Sequence, residues 1–238
     1  MGIAAATLAI YASAAPAAPA AVREALLARK SSTPVIARYE IDEGGVFILD
    51  RSTPRPLLKF EDDPEIFVLQ PSTGPRGDTI FKNDVDEPML RATRLGGMTV
   101  FTVKRPTGSA AALEGASPPL RIQPLSPTGL LIRFYQASIR ASRAAQHQVG
   151  FETREDATPA TAALLADAAM VTSEALVAIA ARPDGRGVLS RISDVMIAQG
   201  PNPSVTLQRG VLTVTIDFSE GIAGRPSSRR IQRVAWIR

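Results

Sequence analysis

Cysteine is absent from the 238 residues, and histidine occurs once, as His147. The first absence excludes disulfides, thiolate catalysis and thiolate-held metals. The second excludes metal sites built on several imidazoles, and any Ser-His-Asp triad would have to use His147. No Gly-x-Ser-x-Gly elbow accompanies it, and Gly185-Arg186-Gly187 lacks the third glycine and the preceding strand of a dinucleotide fingerprint. No catalytic residue, metal or cofactor is therefore expected. Aromatic residues make up only 5% of the chain, and the basic C-terminus offers one, Trp236. Nucleic-acid binding calls for a basic face with stacking aromatics or a known motif, so no nucleic-acid partner is expected. The lack of cysteine leaves the compartment open, since disulfides are permitted outside the cytosol but not required there.

Charge is missing from residues 1–22, and the first charged side chain is Arg23. The stretch is Ala-rich, with Ile3, Leu8 and Ile10, and ends in Ala12-Ser13-Ala14-Ala15-Pro16. This pattern reads as the apolar region and Ala-x-Ala cleavage site of a secretory signal peptide whose basic beginning is lacking, a truncated remnant. A disordered Ala/Pro arm is the alternative. A membrane anchor is disfavoured, because Pro16 and Pro19 interrupt the run before the roughly 20 residues a spanning helix needs. No transmembrane span is expected, and the implied location is periplasmic or secreted.

What remains, residues 23–238, suits a single domain. Residues 23–30 read as a short helix or the end of the leader. Residues 34–103 read as β: Ala37, Tyr39 and Ile41 alternate with Arg38, Glu40 and Asp42, the period of a half-buried strand. Strands follow at 46–49, 57–60, 66–69, 79–82, 89–95 and 98–103, separated by turn-forming Pro, Gly, Asp and Asn. Gly44-Gly45 and Gly96-Gly97 suit tight hairpins, so pairing is expected to be antiparallel. Residues 104–127 read as a Pro/Gly/Ser/Ala-rich linker.

Helical patterning begins at 128. On residues 128–148, Arg133, Gln136, Arg140, Arg143 and His147 share one stripe. Leu131, Phe134, Tyr135, Ser138, Ala141, Ser142 and Ala145 lie opposite, as the expected buried face. Thr158-Pro159 is an N-cap followed by proline at the first helical position, opening a nearly all-apolar helix to about Arg182. Its Asp167 and Glu174 argue against a membrane span. A third helix is expected at 187–199, and a hairpin at 205–218 turning at Arg209-Gly210. The expected fold class is α+β: an antiparallel β-sheet (34–103 plus the hairpin 205–218) packed against a three-helix layer (128–199). A separate sandwich or barrel beside a helical unit is the runner-up.

Several short motifs carry two readings. Arg76-Gly77-Asp78 is either an integrin tripeptide or a turn. The acidic loops Asn83–Glu87 and Glu61–Glu65 either hold calcium or face water. Asp167 and Glu174 lie two turns apart, about 10.5 Å of rise. That is too far for a glycosidase pair and suits pairing with arginines. Arg225, Arg229, Arg230, Arg233 and Arg238 crowd the last fourteen residues, reading as a solvated basic tail (223–238) or an anion-binding surface.

The block Gly74-Pro-Arg-Gly-Asp-Thr-Ile-Phe-Lys-Asn-Asp84, the block Leu90-Arg-Ala-Thr-Arg-Leu-Gly-Gly97 and the block Ala223-Gly-Arg-Pro-Ser-Ser228 resemble an uncharacterised alphaproteobacterial exported-protein family, catalogued as a domain of unknown function. The resemblance covers roughly residues 35–230. It implies an exported bacterial protein and assigns no catalytic residue. The expected function is a non-catalytic binding or structural module of the bacterial envelope. Its contact surface is expected at Arg133, Arg140, Arg143 and His147, or at Arg229, Arg230 and Arg233, toward an unknown protein or an anionic envelope surface. The alternatives are a carboxylate-based hydrolase acting on glycans and a ligand-binding β-barrel.

Overall fold

A computed structural model describes residues 33–42 and 44–237. The leader expected at 1–22 and the helix expected at 23–30 lie outside the described residues. The fold is α+β, with a large antiparallel sheet that closes nearly into a barrel and, among the described residues, four α-helices.

The large sheet contains β1 (Ile36–Ile41), β2 (Val46–Asp50), β3 (Leu57–Phe60), β4 (Ile66–Val68), β5 (Gln70–Thr73), β6 (Thr79–Lys82), β7 (Pro88–Ala92), β8 (Met98–Val100) and β9 (Ser109–Ala116). Its order is β4-β3-β2-β1-β9-β8-β7-β6-β5. The two outermost strands are neighbours in the chain, separated only by Leu69. One length of backbone therefore pairs with β3 through residues 66–68 and with β6 through residues 70–73, and the sheet comes nearly full circle. Counted as one, β4 and β5 bring the ring to about eight strands, the size at which side chains just fill the interior.

They do fill it. Alternate residues point inward: Ala37, Tyr39 and Ile41 from β1, Phe47 and Leu49 from β2, Leu58 and Phe60 from β3, and Leu90 and Val100 from across the ring. Tyr39 stacks on Phe47 at 5.0 Å between centroids, Phe47 meets Phe60 at 6.0 Å, and Phe60 meets Phe67 edge-on at 6.1 Å. Such pairs each contribute about 0.5–1.5 kcal/mol beyond area burial.

The expected linker at 104–127 is corrected by β9, which pairs with β1 on one side and β8 on the other. Alanine and glycine carry little strand propensity, so the segment Ser109–Ala116 has no strand signature of its own. Two flanking ladders hold it.

The second lobe contains α1 (Pro127–Ala145), β10 (Gly150–Thr153), α2 (Pro159–Ala180), α3 (Gly185–Leu189), β11 (Asp194–Gln199), β12 (Ser204–Gln208), β13 (Val211–Ile216) and α4 (Ser228–Trp236). The hairpin at 205–218 forms as expected, but it belongs to this lobe's own sheet, ordered β10-β11-β13-β12. In that sheet β10, β11 and β13 run parallel, and β12 pairs antiparallel with β13. The helix expected at 187–199 is corrected to the short α3 followed by β11. Val195 and Ile197 alternate inward there, both fully buried. Short apolar runs do not distinguish helix from strand by periodicity. The parallel neighbour β10 was itself unrecognised, since a crossover through α2 links it to β11.

α2 forms as expected. Thr158 and Thr161 make a reciprocal capping box (2.9 and 3.2 Å) ahead of Pro159. It is long and apolar enough to cross a bilayer, and 67% of the relevant stretch is buried inside the protein. α1 packs along it through Phe134, Ala137, Ala141 and Ala145. The buried row of α1 begins at Leu130. Leu131 and Tyr135, expected inside, are exposed, a rotation of the buried face by about 60° that leaves Phe134, Ala141 and Ala145 inside as expected. The C-terminal segment is no solvated tail: α4 buries Ile231 and Ala235 completely, and Arg182 lies 4.8 Å over the Trp236 ring.

Candidate functional site at the barrel mouth

Four hairpin connections meet at one end of the barrel. They are the β1–β2 turn at Gly44-Gly45, the β3–β4 loop at 61–65, the β6–β7 loop at 83–87 and the β8–β9 loop at 101–108. Gly44 and Gly45 both hold positive φ (91° and 105°), a conformation side chains other than glycine resist. Between these loops opens a cavity of about 730 Å³, in the range of small-molecule sites. Ile41, Phe60, Phe67 and Val100 line its apolar wall. Asp62, Asp63, Glu87, Lys104, Arg105 and Arg229 line its charged portion, three of each sign. Arg229 Nε stands 3.9 Å from Glu87 Oε2, and the Asn83 amide donates to the same carboxylate at 3.0 Å.

A buried polar joint adjoins the mouth. Arg225 is its centre: its Nη1 donates to Glu65 at 3.2 Å, its Nη2 donates to the Ile66 carbonyl at 2.8 Å, and its Nε donates to Asp167. Ser228 N–H donates to Glu65 at 3.1 Å. Asp84 accepts from the backbone of Ser227 at 2.9 Å and from its hydroxyl. The β3–β4 loop, the β6–β7 loop and the start of α4 each contribute to both places. They supply Asp62, Asp63, Glu87 and Arg229 to the mouth, and Glu65, Asp84 and Ser227 to the joint. The rim of the mouth is thereby anchored to the second lobe.

Burial pushes the Glu65 carboxyl above its ordinary range, opposed by Arg225 and Ser228. Burial alone would lower Arg225, but Asp167 and Glu65 outweigh it and hold the guanidinium charged. Lys59 is lowered by burial, with Asp63 foremost among the acids opposing. Asp50, at the far end of β2, is raised by burial but lowered further by the Ser52 hydroxyl and the backbone N–H groups of Ser52 and Leu120, and ends below its usual value.

Of the residues expected to act from sequence, Arg133, Arg140 and Arg143 share α1 and do not line the mouth. Arg140 pairs with Glu174. Arg133 donates to Gln136 at 3.2 Å, and Arg143 is exposed. His147 faces the carbonyls of Ala145 (3.1 Å) and Ile192 (2.8 Å), tying the end of α1 to the approach of β11. Arg229 reaches the mouth, Arg233 donates to the Val85 carbonyl at 3.3 Å, and the Arg230 backbone N–H donates to the Ser227 cap at 3.1 Å. Asp167 and Glu174 each face an arginine. Asp78 of the Arg-Gly-Asp turn is buried against Arg91 at 2.5 Å. Asp84 of the acidic loop is held by Ser227, and among the described residues no cluster of three metal-ligating side chains occurs. Sequence reasoning missed the mouth and the joint. The one available signal was that Ala223–Ser228 stood out as a block.

These features define an α+β protein in which a nearly closed, packed barrel is joined to an α/β lobe by a buried arginine. The chain belongs to the family described as Domain of unknown function (DUF4908), whose match spans residues 21–235. No curated protein and no solved structure matches it.

Proposed function

We propose that the protein is a non-catalytic, exported binding module of the cell envelope, and that its barrel mouth takes a small amphipathic ligand. The observation that carries this reading is the cavity itself. The ring nearly closes around a packed aromatic core, and a space of about 730 Å³ opens at the hairpin end. Its wall suits an apolar body. Its charged portion, with both signs interleaved, suits a neutral or zwitterionic head better than a multiply charged one, because either excess charge would meet like charge. The non-catalytic part rests on the acids: Asp167 and Glu174 both face arginines, and Glu65 is enclosed with Arg225. The exported part rests on the uncharged leader, with a periplasmic or secreted location.

Titration with the neutral fluorophore N-phenyl-1-naphthylamine tests the ligand site. Saturable one-to-one binding is expected, and Thr102→Trp, which fills the mouth from a partly exposed loop position, is expected to abolish it while leaving the circular dichroism unchanged. Binding that survives Thr102→Trp would place the fluorophore elsewhere and defeat the reading.

A further inference from the structure

We infer that the outward face of α1 is a docking surface for an anionic lipid bilayer. Three large apolar side chains stand in water on this one helix: Leu131 is 69% exposed, Ile132 53% and Tyr135 68%. They lie away from the buried row that begins at Leu130 and Phe134. At 100° per residue, Ile139 extends the patch by a turn and Arg143 flanks it, while Arg140 and Arg133 stand about 60–80° further round. The helix carries these three arginines and no acid. Of the acids on the elements packed against it, Glu174 of α2 pairs with Arg140. Among the described residues Arg133 and Arg143 pair with no carboxylate, and of the two Arg143 is the one beside the apolar patch.

The area and the charge choose the occupant. Three such side chains offer roughly 400 Å², as large as the biggest apolar patch an ordinary monomer shows. That is half of the roughly 800 Å² per partner in a standard protein interface, so a second copy would be underheld. A bilayer needs no matching contour. Leucine and isoleucine enter the acyl boundary, tyrosine sits at headgroup level with its hydroxyl wet, and the flanking Arg143 meets anionic headgroups. Near such a surface each arginine raises partition by about fivefold.

Vesicle flotation of the full chain tests this, using phosphatidylglycerol mixed with phosphatidylcholine against phosphatidylcholine alone. The wild type is expected to float with the anionic vesicles, more strongly at low salt than at high salt. The variant Arg143→Glu is expected to weaken flotation by about fivefold or more. Leu131→Ser/Ile132→Ser/Tyr135→Ser is expected to abolish it at every salt concentration. All these positions are exposed, so circular dichroism should match wild type. Residues 1–22 are common to every variant, so flotation that survives both sets of substitutions would come from elsewhere and overturn the inference. A wild type that stays unbound also overturns it, as does a dimer in sedimentation that the triple serine variant splits.

Discussion

Arg225 permits the sharpest test of how the two lobes hold together. Its side chain is 4% exposed and Glu65 is 2% exposed, so removing the cation leaves a carboxylate with almost no water and only Ser228 for a partner. Breaking a buried pair from one side costs about 3–5 kcal/mol, most of it the stranded charge. Arg225→Met, which keeps the apolar stem, should therefore lower the unfolding free energy at pH 7 by that amount. For a domain of this size the midpoint temperature should fall by roughly 10 °C. The pH dependence separates a stranded charge from lost packing. The folded-state pKa of Glu65 already lies above its ordinary value, so its contribution to stability is fully present below the ordinary glutamate range. That contribution is lost as pH rises through the raised pKa. Losing Arg225 raises it further, so the deficit of the variant should be largest at neutral pH and shrink toward pH 4. Adding Glu65→Gln should restore part of the loss at pH 7 and little at pH 4. Urea unfolding at both pH values measures all of this. A deficit that is the same at both, or below about 1 kcal/mol at pH 7, would refute the reasoning.

Asp50 should behave with the opposite sign. It is buried and accepts from Ser52 N–H (2.9 Å), Ser52 Oγ (2.6 Å) and Leu120 N–H (2.9 Å). Asp50→Ala should cost about 2–4 kcal/mol at neutral pH. Because its folded pKa is depressed, the loss should be constant above the ordinary aspartate range and shrink as acidity carries the wild type through the lowered pKa, which urea unfolding along a pH series would show. Gly185→Ala should destabilise by at least about 2 kcal/mol, since a Cβ there would lie 1.9 Å from the Ile179 carbonyl oxygen. Gly187→Ala, with nothing within 4 Å of its Cβ, should be neutral or gain a few tenths of a kcal/mol in the same thermal melt.

The legible parts of this protein are those governed by local chemistry. Ala37, Tyr39 and Ile41 announce β1 because side chains alternate across a strand whatever lies beside it. Thr158 and Pro159 announce α2 because a free N–H group must be capped at every helix start. Leu212, Val214 and Ile216 mark the inner face of β13 for the same reason as in β1. The misplaced parts are those in which a distant partner outweighs a weak local signal. Ser109–Ala116 is a strand because β1 and β8 flank it, and Asp194–Gln199 is a strand because β10 and β13 do. Leu131 and Tyr135 look buried on a helical wheel, but α2 presents its small alanines to the neighbouring face, and Leu130 and Phe134 are the ones that fit.

By itself the sequence determined the absence of thiol chemistry, the antiparallel hairpins, the capped apolar helix and the mixed class of the fold. Each follows from a residue's own side chain and its immediate neighbours. Only the tertiary structure decided that the sheet nearly closes, that Arg225 is enclosed among Glu65, Asp167 and the Ile66 carbonyl, and that Arg229 alone of the expected cations reaches the barrel mouth. Those outcomes depend on residues 58 to 160 positions apart meeting in space, where desolvation makes a charge indispensable to its partner and inert to everything else.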